Sequence, residues 1–401
     1  MKQNIVTGID IGNSSIKIVS AVKKSKDGDI KVIGQVSGPV SGIRKGVIDN
    51  IEKASKSLYS ALLILSEQLN AKIYSVYPSI SGSHLFSLSS TGLVSVSRAD
   101  GKISQEDIDR VVENAKTFPL ASNKEIFYDS PKEFIVDGVH GIKEPLGLKG
   151  VRLEADVMFV GAFSPYLKNL TSTILNLDLD INDVIASSLA SSRSVLTPRE
   201  SELGVALLDI GAGNTDLAVL KEGRPLHLRV FPIGSANITN DIAIGLKTDI
   251  DIAERIKLDY GSCLPKTVKK KEKIKVDNGE GGILFSRKEV SEIIEARVSE
   301  IFEEVEKELK KIHCEGSLPS GIVLTGGGAK IPHIAELARK HFKLPVKVRA
   351  PLGFSGLDED PVWSTACGLV LYGFDSEESE GEKGGFKGLE FLKKLFRVFV
   401  P

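Results

Sequence analysis

Read as a pattern of apolar and polar positions, the chain says nearly the same thing twice. Near the N-terminus an apolar run, Ile5–Ile11, carries Asp10 near its end. It turns through Gly12-Asn13-Ser14-Ser15 and resumes as a second apolar stretch over Ile16–Ala21. About 200 residues later Val205–Leu208 leads into Asp209, turns through Gly211-Ala212-Gly213-Asn214-Thr215, and continues past Asp216 to Val219. Each pattern predicts a strand, a tight glycine turn and a second strand. One such hairpin is an ordinary turn, whereas two in one chain imply similar half-molecules facing each other.

The stretches between them predict an α/β protein. Lys31–Val36 reads as a third strand after the polar Lys23–Asp29 loop, and Ile51, Leu58, Leu62 and Leu65 share one face of a helix over Asn50–Leu69. From Ser83 to Val160 the texture changes to β-α-β-β. Leu85–Val96 is Ser-rich, Ser104–Asp107 forms a capping box before Val111, Val112 and Ala115, and Glu133–Val136 and Val151–Val160 are strands. That block is expected to be a small inserted α+β subdomain. Helices follow at Tyr166–Leu177 and at Asp183–Leu196, the second rich in Ala and Ser, with Asp183 in position to serve as its N-cap.

In the second half, Ile233–Gly245 and Ile250–Tyr260 read as helices, and Arg287–Ile312 as a long amphipathic helix with Ile294, Val298, Ile301, Val305 and Leu309 inward. The lysine-rich Val268–Val276 stretch fits a solvated hairpin or guarded edge strand. Ile322–Gly328 runs from a strand into three glycines. Ile334–Phe342 is a helix, Val346–Val348 a strand, and Thr365–Tyr372 a closing apolar helix. Asp375–Gly385 is rich in Glu, Ser and Gly and reads as a flexible acidic linker.

Charge and composition narrow the function. The chain of 401 residues has 52 basic and 53 acidic side chains, a net charge of −1, which argues against a dedicated nucleic-acid binder. Cys263, Cys314 and Cys367 fit neither a metal nor a disulfide spacing, as expected in a reducing compartment. No leader opens the chain and no apolar run approaches the ~20 residues that span a bilayer. A cytoplasmic protein is expected.

The last residues change that picture. At about 100° per residue, Leu389, Phe391, Leu392, Leu395, Phe396, Val398 and Phe399 share one arc of Phe386–Val400, and Lys387, Glu390, Lys393, Lys394 and Arg397 the other. Four positive residues against one negative give this stretch +3. Bulky aromatics opposite lysines suit a helix lying among anionic head groups. The candidate membrane-binding residues are Phe386, Leu389, Phe391, Leu392, Lys393, Lys394, Leu395, Phe396, Arg397 and Phe399.

The paired hairpins carry a chemical logic. Glycines let backbone N–H groups close on phosphate oxygens, and Asn13, Ser14, Ser15, Asn214 and Thr215 add donors around the same anion. Asp10 and Asp209 would hold a hydrated Mg²⁺ bridging the phosphates, and Lys17 would neutralise phosphate charge. Gly326-Gly327-Gly328-Ala329-Lys330, between a strand and a helix, would let a flat ligand lie on bare backbone. There is no Walker loop and no Gly-x-Gly-x-x-Gly fingerprint.

These three elements, in this order, resemble the actin, heat-shock-protein-70 and sugar-kinase ATPase superfamily. The resemblance implies an actin-like (ribonuclease H-like) two-domain α/β fold that binds ATP, with the hairpins (Gly12, Gly211 and Gly213 included) as phosphate loops and the triple glycine as the adenosine loop. It also implies a water-orienting carboxylate at Asp183, and a Glu and a Lys flanking the nucleoside at Glu254 and Lys257. Together with the insert and tail, Phe231–Ala243 and Trp363–Gly373 resemble FtsA, the family of bacterial cell-division actin homologues. That likeness implies a scaffold with at most weak ATPase activity. The scaffold would polymerise, tether the tubulin-like FtsZ ring through its C-terminal peptide to the inner membrane at the septum, and recruit later division proteins. Two departures are Ser235, where relatives often carry Gly, and Asp183, where they carry Glu. A PilM-like pilus-assembly protein and a sugar-kinase-type phosphotransferase are the alternatives.

The expected domains are 1–83 and 161–195 (first actin-like domain), 84–160 (insert, resembling an SHS2 domain), 196–231 with 320–374 (second core) and 232–319 (its upper subdomain). Residues 375–385 would be the linker and 386–401 the lipid-facing helix.

Overall fold

A computed structural model describes residues 4–23, 29–269, 272–276, 282–314 and 316–381. The first lobe opens with an antiparallel meander, β1 (Ile5–Ile11), β2 (Ser15–Lys23) and β3 (Ile30–Pro39). A small hairpin of β4 (Ile43–Arg44) and β5 (Val47–Ile48) leads into α1 (Ile51–Leu69). Asn50 caps α1, its side chain accepting from Lys53 N at 2.9 Å, and Leu58, Leu62 and Leu65 are buried as their spacing predicts. Truncating a buried leucine such as Leu58 to alanine costs about 2–5 kcal/mol. β6 (Ser75–Ile80) then runs parallel to β1.

The insert follows. β7 (Phe86–Ser95), α2 (Gln105–Ala115), β8 (Lys124–Val136), β9 (Val139–Ile142) and β10 (Arg152–Phe163) build a four-stranded antiparallel sheet in the order β7-β10-β8-β9. It has its own core around Ile103, Val111, Phe134, Leu153 and Phe159. The capping box at Ser104 forms.

The chain returns to the first lobe through α3 (Ser164–Leu175), β11 (Asp180–Ile181), β12 (Ile185–Ala186) and α4 (Ser187–Val195). Here the helix expected over Asp183–Leu196 begins late. The β-branched Ile185 pairs with Ser79 on β6 as a strand, so Asp183 does not cap α4, whose N-cap is Ala186. A short helix without an apolar period, α5 (Pro198–Leu203), follows a second capping box at Thr197.

The second lobe repeats the first. β13 (Val205–Ile210), β14 (Thr215–Lys221) and β15 (Arg224–Phe231) form the meander. The upper part holds α6 (Ser235–Leu246), α7 (Ile250–Tyr260), the hairpin β16 (Lys273–Val276) and β17 (Ile283–Ser286), and α8 (Arg287–Lys311). The lysine-rich stretch therefore ends in a hairpin strand. β18 (Ile322–Thr325), α9 (Ile334–Phe342) and β19 (Val346–Val348) complete the sheet in the order β15-β14-β13-β18-β19. The first sheet runs β3-β2-β1-β6-β11, the same order of roles. Alternation sorts β13 between two cores: Val205 and Leu207 join the apolar cluster shared with the first lobe, while Ala206, Leu208 and Ile210 face the upper helices.

The end of the described chain crosses back. β20 (Phe354–Ser355) pairs with β3, and α10 (Ser364–Gly381) buries Ala366, Cys367, Leu369, Val370 and Phe374 in the cluster that contains Val6 and Ile9. Residues 354–374 thus join the first lobe's sheet and core, where 320–374 was expected to belong wholly to the second. Helix α10 also runs through residues 375–381, which were expected as linker; Arg193 pairs with Asp375 at 3.0 Å on its first acidic position. Residues 382–385 and the expected lipid-facing helix, 386–401, lie outside the described residues. Among the described residues no helix is long and apolar enough to cross a membrane.

Candidate functional site

Parallel neighbours bring the polar residues together. β1 and β6 lie side by side, with Ile9 opposite Pro78, so Asp10 meets Ser79, whose hydroxyl donates to Asp10 Oδ1 at 2.9 Å. In the other lobe Asp209 lies opposite Thr325 of β18, which brings the turn at Gly326 beside the aspartate. Gly326 has φ +82°, and a Cβ there would fall 2.2 Å from Asp209 Oδ1. Only glycine lets the backbone come that close.

The two hairpin turns close alike. Gly12 N donates to Ser15 O at 3.1 Å, and Gly211 N donates to Asn214 O at 2.9 Å. They face each other across one cleft lined by Asp10, Gly12, Asn13, Ser14, Lys17, Asp209, Gly211, Asn214, Gly326 and Gly327, all of which the sequence singles out. The hairpins also touch: a Cβ on Gly213 would lie 2.5 Å from Asn13 Nδ2. Asn13 Oδ1 accepts from Gly46 N at 2.8 Å. Asn214 is 3% exposed, yet neither atom of its amide has a partner. Leaving such a group unpaired costs about 1–3 kcal/mol, a cost that a ligand in the cleft would relieve.

The cleft is acidic. Asp209 is buried, and its Oδ2 accepts from Ser191 Oγ at 2.5 Å and Thr365 Oγ1 at 3.1 Å. Burial raises its pKa, and the Asp10 charge adds to the rise. Asp216, the cross-strand partner of Asp209 on β14, is pushed up to about 8 by burial and by the charges of Asp209 and Asp10. Against these stands Lys17, 3.8 Å from Asp10. No group of three acidic, His or Cys side chains among the described residues is close enough to coordinate a metal directly. Asp10 and Asp209, each already accepting from a hydroxyl, form a donor set of few carboxylates, which fits a cation that keeps its own water.

Several expected site residues are engaged elsewhere. Thr215 is fully buried and its hydroxyl donates to Ile233 O at 2.8 Å, because β14 alternation turns it away from the cleft. Ser15 contributes its carbonyl to the turn. Gly328 packs on Ile210, and Lys330 pairs with Asp360. Glu254 and Lys257 pair with each other at 2.6 Å, and Lys257 also donates to Thr239 Oγ1 at 2.9 Å and Ser235 O at 3.4 Å. They sit one layer behind the second hairpin, since Ser235 N itself donates to Gly211 O at 2.9 Å. Asp183 stands apart from the residues lining the cleft. It accepts from Val184 N at 2.8 Å, and burial pushes its own pKa to about 6. From the Asp183–Ala190 segment the cleft receives Ser187.

The cleft also gains residues that motif spacing passed over. Ser81 donates to Asp216 Oδ1 across the two lobes at 2.8 Å, and Ile11, Gly46, Ala212, Ser187, Val362 and Thr365 complete the lining. Asp216 alone carried a readable signal: it is an acid that alternation places on the same face of β14 as the apolar Ala218 and Leu220. Of the others, Gly46 and Ser81 lie in loops, Ser187 opens α4 and Thr365 lies on α10.

Comparison with known proteins adds family and fold. The chain matches the family model of cell division protein FtsA over residues 206–368, and that of the SHS2 domain inserted in FtsA over residues 82–160. It is 35% identical to cell division protein FtsA of Pseudomonas aeruginosa, covering 96% of this chain and 93% of that protein. It is 34% identical to that of Escherichia coli K12, covering 95% and 94%. Among solved structures, one from the PilM-PilN type IV pilus biogenesis complex superposes with a TM-score of 0.65 at 17% identity, covering 92% of this chain and 98% of that one. MreB5 of Spiroplasma citri bound to ADP gives 0.57 at 15%, covering 95% and 99%. At such identities these structures speak to fold alone, and that fold is actin-like.

Proposed function

This chain belongs to the FtsA family of cell division proteins, and we propose that it works as a nucleotide-gated scaffold attached to the membrane at the division septum. ATP is the ligand of the cleft between the lobes. The observation that carries this is the buried Asn214 amide of the second hairpin, unpartnered on both atoms and lining the cleft that the first hairpin faces. Backbone N–H groups of both turns and the Asn214 and Ser14 side chains would take phosphate oxygens. Asp10 and Asp209 would hold Mg²⁺ through its waters, and the metal would supply charge neutralisation between carboxylates and phosphates. Excess negative charge around Asp209 and Asp216 favours that cation. Gly326 and Gly327 offer the flat backbone surface for the nucleoside.

Closure of the lobes around nucleotide would favour assembly into actin-like filaments. The 386–401 tail would hold those filaments on anionic lipid, while the surface binds the FtsZ C-terminal peptide and later division proteins. One such helix binds lipid weakly, so filament formation would supply firm attachment through avidity. Vesicle co-sedimentation of the chain with and without residues 386–401 tests the tether: the full chain should pellet and the truncated chain stay in solution, and equal pelleting would refute it. Pull-down with the FtsZ C-terminal peptide separates this reading from a PilM-like one, which predicts no capture.

A further inference from the structure

The turn of the β4–β5 hairpin reaches the mouth of the cleft, and it carries a lysine. Lys45 and Gly46 form that turn with φ of +50° and +77°. The hairpin is fastened behind by Asp49 N and Asn50 N on Gly42 O, at 3.0 and 3.2 Å, and by Asn169 Nδ2 on Ile48 O at 2.9 Å. Its tip is held in front. Gly46 N donates to Asn13 in the first phosphate hairpin. A Cβ on Gly46 would fall 2.1 Å from Asn214 Nδ2 in the second hairpin and 3.0 Å from Gly82 Cα at the root of the insert. Gly46 thus touches both hairpins, and Lys45 is the next residue, one Cα step of about 3.8 Å away.

Charge makes Lys45 useful there. Three carboxylates, those of Asp10, Asp209 and Asp216, line the cleft with Lys17 as the lining cation, already beside Asp10. A polyphosphate brings further negative charge. Lys330 near the glycine turn is paired with Asp360, whereas Lys45 is exposed and forms no ion pair among the described residues. Its flexible four-carbon stem allows an ammonium to swing toward a phosphate. With the nucleoside at Gly326 and Gly327, the first of which adjoins Asp209 and Ile210, a phosphate chain laid along the cleft would run toward Asn13, Asn214 and Gly46, which line it. The last phosphate is the one this tip can reach.

We propose that Lys45 is a binding residue for the terminal phosphate of a nucleoside triphosphate, so that the β4–β5 tip reports to both lobes whether that phosphate is present. This rests on the nucleotide reading above. The test is binding of fluorescent ATP and ADP with Mg²⁺ to the full chain and to Lys45→Ala and Lys45→Arg. A charge-assisted hydrogen bond lost from the terminal phosphate should weaken ATP about 10-fold or more, leave ADP within about 2-fold, and be largely restored by arginine. Equal weakening of ATP and ADP, or no change in either, would overturn the role of Lys45 while leaving the cleft as a nucleotide site. A wild-type chain that binds neither nucleotide would overturn the nucleotide reading and this role with it. Thermal melting without ligand, unchanged by Lys45→Ala, guards against a merely misfolded variant; a large loss would assign the lysine to the fold and refute the proposal.

Discussion

The two glycine hairpins have the same backbone and opposite electrostatics. In the first, Asp10 stands across the strand from Lys17; in the second, Asp209 stands across the strand from Asp216. The register is identical, and one pair carries its own counter-ion while the other pair is doubly acidic and buried. Such a pair is expensive to ionise without help. The difference teaches that the halves are not interchangeable. The first hairpin brings a cation to the cleft, whereas burial and mutual repulsion oppose full ionisation of the second hairpin's two acids.

The comparison can be broken at its strongest point by Asp209→Ala. With the buried carboxylate gone, Mg²⁺-dependent ATP binding should fall by about 100-fold or more, and filament assembly should fall with it; retention of both, measured by titration and light scattering, would contradict the assignment. Next in size, Asn214→Ala should weaken ATP about 10-fold through loss of its hydrogen bonds while leaving the ligand-free chain as stable or more so. The contrasting change, Asn13→Ala, removes the partner of Gly46 N and should lower ligand-free stability as well.

A third prediction concerns pH. Asp216 is raised from 3.8 to about 8 by burial and its acidic neighbours, so between these values the unfolded chain has lost a proton that the folded chain still holds. Stability of the ligand-free protein should therefore decline as pH rises from about 4 to about 8. Asp216→Asn should flatten that decline in a series of thermal melts; an unaltered slope would place the titration elsewhere. The smallest effect is expected from Asp183→Asn. The side chain is apart from the cleft, so ATP affinity should shift by less than about 2-fold, with a modest gain in ligand-free stability above pH 6, where burial penalises its charge. A strong loss of ATP turnover would restore Asp183 to a catalytic role.

The repeat was legible because its residues are consecutive: Asp10 to Lys17 and Asp209 to Asp216 each lie on one hairpin, and the period-2 alternation of β1 and β13 reveals their strands. The insert announced itself through the capping box at Ser104 and its separate strand pattern. What was not legible depends on contacts between distant segments. Ser81 meets Asp216 at a separation of 135 residues, and Ser191 meets Asp209 only because α4 crosses under the second sheet. Asp183 was misplaced for a local reason. Ile185 is held as a strand by Ser79, which sets the start of α4 at Ser187 and puts that serine, four residues on, into the cleft. Likewise α10 looked like part of the second lobe by sequence order, but its apolar face fits the first lobe's core.

The two hairpins differ most sharply if the acidic pair of the second charges only when a divalent cation and polyphosphate arrive. Calorimetric titration of ATP with Mg²⁺ at pH 7, in two buffers of different ionisation enthalpy, measures the protons exchanged on binding. Net proton release is expected in the wild-type chain and should be largely abolished in Asp216→Asn. ATP binding of equal strength without Mg²⁺, or binding with no proton released from the wild-type chain, would contradict it.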